Sequence, residues 1–143
     1  MTCSIHCKKV IQGGLAAGVW FNLCDFVGHG MILMKRYAAL GDMGYLHKEP
    51  VLPFLPLNLA MNFGLAMLAT WIYASSRDTL GPGPKTALKI GALLGLIAAT
   101  PDALVNLSWS PIGKFVPFVS FLTAMAQYKI GTLIGASIYK PRA

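Results

Sequence analysis

Residues 10–34 read VIQGGLAAGVWFNLCDFVGHGMILM. One acid, Asp25, and one histidine, His29, interrupt an otherwise mostly apolar run. As a helix rising 1.5 Å per residue, the run is long enough to cross a hydrocarbon core of about 30 Å. Lys8 and Lys9 precede it, as basic residues precede a signal peptide. The run is too long for a signal h-region, however, carries Asp25 in its middle and has no small-residue cleavage site after it. It therefore reads as a retained membrane helix.

Three comparable runs follow, at about 51–74, 86–109 and 115–139. Pro53 and Pro56 open the second, where the first-turn amides have no helical partner to lose. Pro101 lies inside the third and is expected to kink it. Gly81-Pro82-Gly83-Pro84 forbids continuation between the second and third runs, and a short Ser110–Lys114 link joins the third to the fourth. Residues 35–50 are expected to form a loop lying partly in the interface, through Tyr37, Leu40, Tyr45 and Leu46. The expectation is an all-α membrane protein. It is a single transmembrane domain over 1–143, an antiparallel four-helix bundle running up-down-up-down because the links are short.

Composition agrees. Of the 143 residues, 55% are hydrophobic and 12% charged. The charged share is about half that of soluble domains, too little for a water-facing exterior. The net charge of +7 does not imply nucleic acid. The basic residues sit in small groups between apolar runs, at Lys8-Lys9, Lys35-Arg36, Arg77 with Lys85, and Lys140 with Arg142. That pattern marks loops beside anionic lipid head groups. Lys8, Lys9, Arg77, Lys85, Lys89, Lys140 and Arg142 fall on one side, and Lys35, Arg36, Lys48 and Lys114 on the other. The bias places both termini in the cytoplasm.

Small residues four apart recur in three spans: Gly14 and Gly18, Gly91 and Gly95, Gly131 and Gly135. Such pairs let helix backbones approach closely. Each continues into a polar stripe. At 100° per residue, Gly14, Gly18, Asn22, Asp25 and His29 share one face of the first span. Gly91, Gly95, Ala98, Asp102 and Asn106 share one face of the third, and Ala124, Gln127, Gly131 and Gly135 one face of the fourth. Asn58 and Asn62 are one turn apart in the second. By residue counting, these amides and carboxyls reach one level in the outer half of the bilayer. Asn22, Asp25, His29, Asn58, Asn62, Asp102, Asn106 and Gln127 are thus expected to form one intramembrane polar cluster. It is either a site for a proton, cation or small polar molecule, or an interhelical hydrogen-bond network.

Other candidates are set against plainer readings. His29 has the chemistry to ligate a metal or porphyrin, but lacks co-ligands and is expected to hydrogen-bond Asp25 one turn earlier. Cys3, His6 and Cys7 crowd the N-terminus with no established metal spacing, and Cys24 reads as a small packing residue. Lys129 lies opposite Gln127 on the fourth helix, where it is expected to snorkel to the membrane surface or meet an anionic partner. No catalytic motif, metal set or phosphate loop is recognisable, and no cofactor is identified.

The stretches GLAAGVWFNLCDFVGHGMIL (14–33), Tyr73-Ala74 leading to GPGPKTALKIGALLGL (81–96), and GTLIGASIYK (131–140) resemble a family of small bacterial four-span integral membrane proteins. The resemblance covers most of the chain. It implies a bacterial inner-membrane location and brings no activity, so no functional residue follows from it. Two functions compete. The first is a non-enzymatic accessory or structural subunit, whose partners are lipids and other membrane subunits or further copies of itself. The alternative is a small transporter or channel working through Asp25 and Asp102.

Overall fold

Helix α1, Cys7–Asp25, begins three residues before the apolar run, takes in Lys8 and Lys9, and continues without a break into a wider, π-helical stretch, Phe26–Ile32. The widening is visible in the Leu33 N–H, which donates to the Gly28 carbonyl five residues back at 3.1 Å. The computed structural model describes residues 5–139; Cys3 and the basic residues Lys140 and Arg142 lie outside the described residues.

The expected loop after the first span instead opens with a second helix. Helix α2, Met34–Asp42, buries Leu40 beside Leu33 and Val116, with Tyr37 packed against them, while Lys35 and Arg36 stay exposed. A Tyr/Leu pair three residues apart is enough to give so short a helix one apolar face. The chain then turns at Gly44 (φ +79°) into α3, Phe54–Leu80, which stops at Gly81 (φ +79°). Helix α4, Pro84–Trp109, starts on its proline and runs on through Pro101, and α5 spans Phe115–Ile138. Among the described residues the fold is all-helical, with no strand.

Among the described residues three segments are long and apolar enough to cross a membrane: Cys7–Ile32, Phe54–Leu80 and Pro84–Trp109. The fourth expected span, α5, is long enough but carries Gln127-Tyr128-Lys129 midway. Its position explains the tolerance for polarity. Helix α5 packs against α4, α1 and α3, whereas α1 and α4 scarcely meet. A central helix shows protein, not lipid, to much of its surface, so Gln127 and Tyr128 are buried among neighbours and only Lys129 is exposed.

Small side chains line the helix contacts alongside a few large ones such as Phe21 and Tyr128, and many large apolar ones face outward. Ala17, Ala66, Ala69, Ala87, Thr70 and Thr132 are buried, while Leu93, Ile97, Leu104 and Val105 of α4 are exposed. Each of the six paired glycines meets another helix. Gly14 faces Met67, Gly18 faces Phe63, Gly131 faces Phe21, Gly135 faces Thr70 and Gly95 faces Met125. The closest backbone approach of these is at Gly91, where a Cβ would lie 2.5 Å from the Tyr128 carbonyl oxygen and 2.8 Å from the Lys129 Cα. In lipid such proximity supplies the dispersion contacts that hold helices together.

Candidate functional site

Asp25 is the last residue of α1 before the backbone widens, and three amides converge on its carboxylate. Asn58 and Asn62 of α3, one turn apart, donate to Oδ2 at 2.8 and 2.9 Å. Gln127 of α5 donates to Oδ1 at 2.8 Å, and its amide also donates to the Phe21 carbonyl at 3.0 Å. Asn22 closes the network: its Oδ1 accepts from Asn62 at 3.2 Å, and its own amide donates to the Gly18 carbonyl at 2.8 Å. Three helices are thereby joined at one carboxylate, which acts as acceptor in every bond. Asn62 and Gln127 are buried, so these bonds form away from solvent, where an unpaired amide would be costly.

Gln127 also lines a cavity of about 470 Å³. Helices α3 and α4 meet at the other end of the bundle, through Tyr73, Ala74, Ala87 and Ile90. Towards Met61 of α3 and Asp102 of α4 the cavity intervenes, with the small residues Ala98, Ala99 and Ala124 leaving the room. Its polar groups come from four elements. His29 of the π-helical stretch and Tyr37 of α2 face each other, Nδ1 and hydroxyl 2.8 Å apart. Ser120 of α5 lines the cavity beside Tyr37. Asp102 of α4 is exposed, and its Oδ1 accepts from Asn106 one turn on, at 2.9 Å. Asn106 in turn accepts from the Ser110 hydroxyl at 3.0 Å. Burial pushes the Tyr37 phenol above its ordinary pKa; Ser120 pulls it down, and the charges of Asp102 and Asp25 push it further up.

The eight residues expected in one cluster thus divide. Asn22, Asp25, Asn58, Asn62 and Gln127 form one bonded network. Asp102 and Asn106 bond to each other on the opposite wall of the cavity, and Gln127 is the residue common to network and cavity. His29 pairs with Tyr37, not with Asp25. The reason is the wider turn over Phe26–Ile32, which spoils the 100° spacing on which a partnership with Asp25 rested. Tyr37 and Ser120 were missed. Tyr37 lay in an expected loop, where its three-residue spacing to Leu40 was the available signal; Ser120 is a lone serine in an apolar run and offers none.

Among the described residues no group of three metal-ligating side chains comes together. The cavity offers one carboxylate, one imidazole, two hydroxyls and two amides, which is chemistry for holding a proton, a cation or a small polar molecule by hydrogen bonds. No protein-family model, curated protein or solved structure matches this chain.

Proposed function

We propose that the chain is a non-enzymatic, four-span protein of the bacterial inner membrane that takes a proton, cation or small polar solute into the cavity beside Asp102. The carrying observation is that Asp102 faces an open cavity and, among the described residues, is bonded only within its own helix, to Asn106. A carboxyl at membrane depth costs up to about 2.5–3.5 kcal/mol, and a polar bond between membrane helices returns only about 0.6 kcal/mol. One such bond does not offset Asp102, and intramembrane acids of this kind mark ion and substrate pathways. The amide-bound Asp25 lies behind Gln127 and gives the cavity a second negative centre.

Counting α5 as a crossing rests on its packing along α4 after a short link, which requires the chain to reverse. An even number of crossings returns both termini to one side, and the basic-residue bias makes that side the cytoplasm. The test is flux in reconstituted vesicles under an imposed proton, sodium or potassium gradient. The parent should conduct and Asp102→Asn should not; flux equal to that of protein-free vesicles for every gradient sinks the reading.

A second reading, an accessory subunit of a membrane complex or a homo-oligomer, is favoured by Lys129. Its exposed side chain is the one charge on α5 and stands midway along it, between the exposed apolar residues Leu122 and Ile130. A partner carrying an acid would cover it. Native mass spectrometry from mild detergent separates the two readings, since a lone monomer is incompatible with the second.

A further inference from the structure

A second cavity, about 350 Å³, lies at the opposite end of the bundle, where the Gly81–Pro84 turn meets the ends of α3 and α5. Arg77, near the end of α3, lines it. The guanidinium carbon sits 5.4 Å from the centroid of the Tyr139 ring and 6.0 Å from that of Tyr73. Both rings are buried and fixed. The Tyr73 hydroxyl accepts from the Gly83 N–H at 3.2 Å, and the Tyr139 hydroxyl from the His6 N–H at 3.4 Å. Aromatic faces attract a cation but offer a guanidinium no conventional acceptor. Of the five N–H groups of Arg77, one on Nη1 donates to the Tyr139 carbonyl at 3.4 Å, while Nε is buried and has no partner among the described residues.

Among the described residues no carboxylate pairs with Arg77, and none lines the cavity. A held cation with unspent donors, facing a pocket whose described lining carries no acid, calls for a ligand that is anionic and rich in acceptor oxygens. The planar fork of arginine matches two oxygens of a phosphate, which gives charge-assisted bonds stronger than neutral ones. The volume equals on the order of ten waters, so a phosphate fits with an attached ester group. The cavity also lies where the helices end, at the level of lipid head groups on the four-span reading.

We infer that this cavity binds a phosphate group, carried by an anionic lipid or free in solution, with Arg77 as its fork. The full chain is reconstituted in nanodiscs of phosphatidylcholine, with or without phosphatidylglycerol, and the phosphatidylglycerol retained after detergent extraction is counted by native mass spectrometry. The parent should keep the anionic lipid. Arg77→Gln should lower retention about tenfold, the factor supplied by one charge-assisted hydrogen bond. Ser137→Leu leaves the guanidinium in place but fills the cavity, and should lower retention as well, so the test stands even where Arg77→Gln fails to fold. In a parallel arm, inorganic phosphate is titrated into phosphatidylcholine discs. A saturable, Arg77-dependent rise in thermal stability, without lipid retention, assigns the site to the free anion. Retention and phosphate response in Ser137→Leu and in folded Arg77→Gln equal to those of the parent would overturn the proposal.

Discussion

The side-chain amide of Gln127 donates to Asp25 Oδ1 at 2.8 Å, a bond between residues 102 positions apart. The same nitrogen serves the Phe21 carbonyl, so one amide satisfies two buried acceptors. Gln127→Leu removes both bonds and leaves a carboxylate oxygen without that donor, a loss of about 1–3 kcal/mol. Gln127→Glu also replaces the donor with an acceptor facing a carboxylate. Thermal unfolding in detergent should rank parent above Leu and Leu above Glu; a Leu variant as stable as the parent would show that the bond is not made.

The two aspartates should respond differently to amidation. Asp25 accepts three amide N–H bonds, and Asn in its place turns an NH2 toward at least one of those donors. Asp25→Asn is therefore expected to cost about 1–3 kcal/mol. Among the described residues Asp102 bonds only to Asn106, and at membrane depth its carboxyl is costly, so Asp102→Asn should be as stable as the parent or more so. Equal stability of the two variants in the same melting assay would contradict the asymmetry.

Gly91 and Gly95 occupy one stripe but not one environment. A methyl on Gly91 meets the backbone of Tyr128 and Lys129, which moves only if α4 and α5 separate. A methyl on Gly95 meets the Met125 sulfur at 3.0 Å, and a methionine side chain yields readily. Gly91→Ala should destabilise by about 1–3 kcal/mol. Gly95→Ala should be near neutral, because alanine's helix preference of about 1 kcal/mol offsets the adjustment. Melting temperatures in the reverse order would place the closest α4–α5 approach elsewhere.

Tyr37 gives a pH signature. Its phenol is held above the ordinary tyrosine value of about 10, chiefly by burial. Between the unfolded and folded values the folded protein keeps a proton that the unfolded chain has lost. The associated stability is complete below the unfolded value and disappears as pH rises through the folded one. Denaturant midpoints should fall with rising alkalinity, and Tyr37→Phe should make that fall shallower. Parallel curves for the parent and Tyr37→Phe would remove Tyr37 from the linkage.

Legibility in the sequence follows the helical repeat and fails where the repeat fails. Asn58 and Asn62 both reach Asp25 because a regular helix puts residues four apart on one face, which spacing alone reveals. His29 lies beyond the last regular turn, and no wheel drawn at 100° follows it into the wider backbone. Asp102 was read at the correct face of its helix but with the wrong neighbours. Periodicity tells which way a side chain points and not which helix stands opposite, and α1 scarcely meets α4. Arg77 looked like one more loop cation, since nothing local links it to Tyr139 at the far end of the chain.

That α5 packs against all three other long helices has a consequence for the order of events at the ribosome. Asn58 follows Asp25 by 33 residues and Gln127 follows it by 102. At about 5–20 residues per second, the first amide emerges roughly 2–7 seconds after the carboxylate and the last roughly 5–20 seconds after it. For most of that interval the nascent chain holds a half-capped acid, with the α1–α3 hairpin as its only shelter. The keystone is the last stone laid, and a quality-control factor that surveys unfinished membrane chains would meet this one with Oδ1 of Asp25 still open.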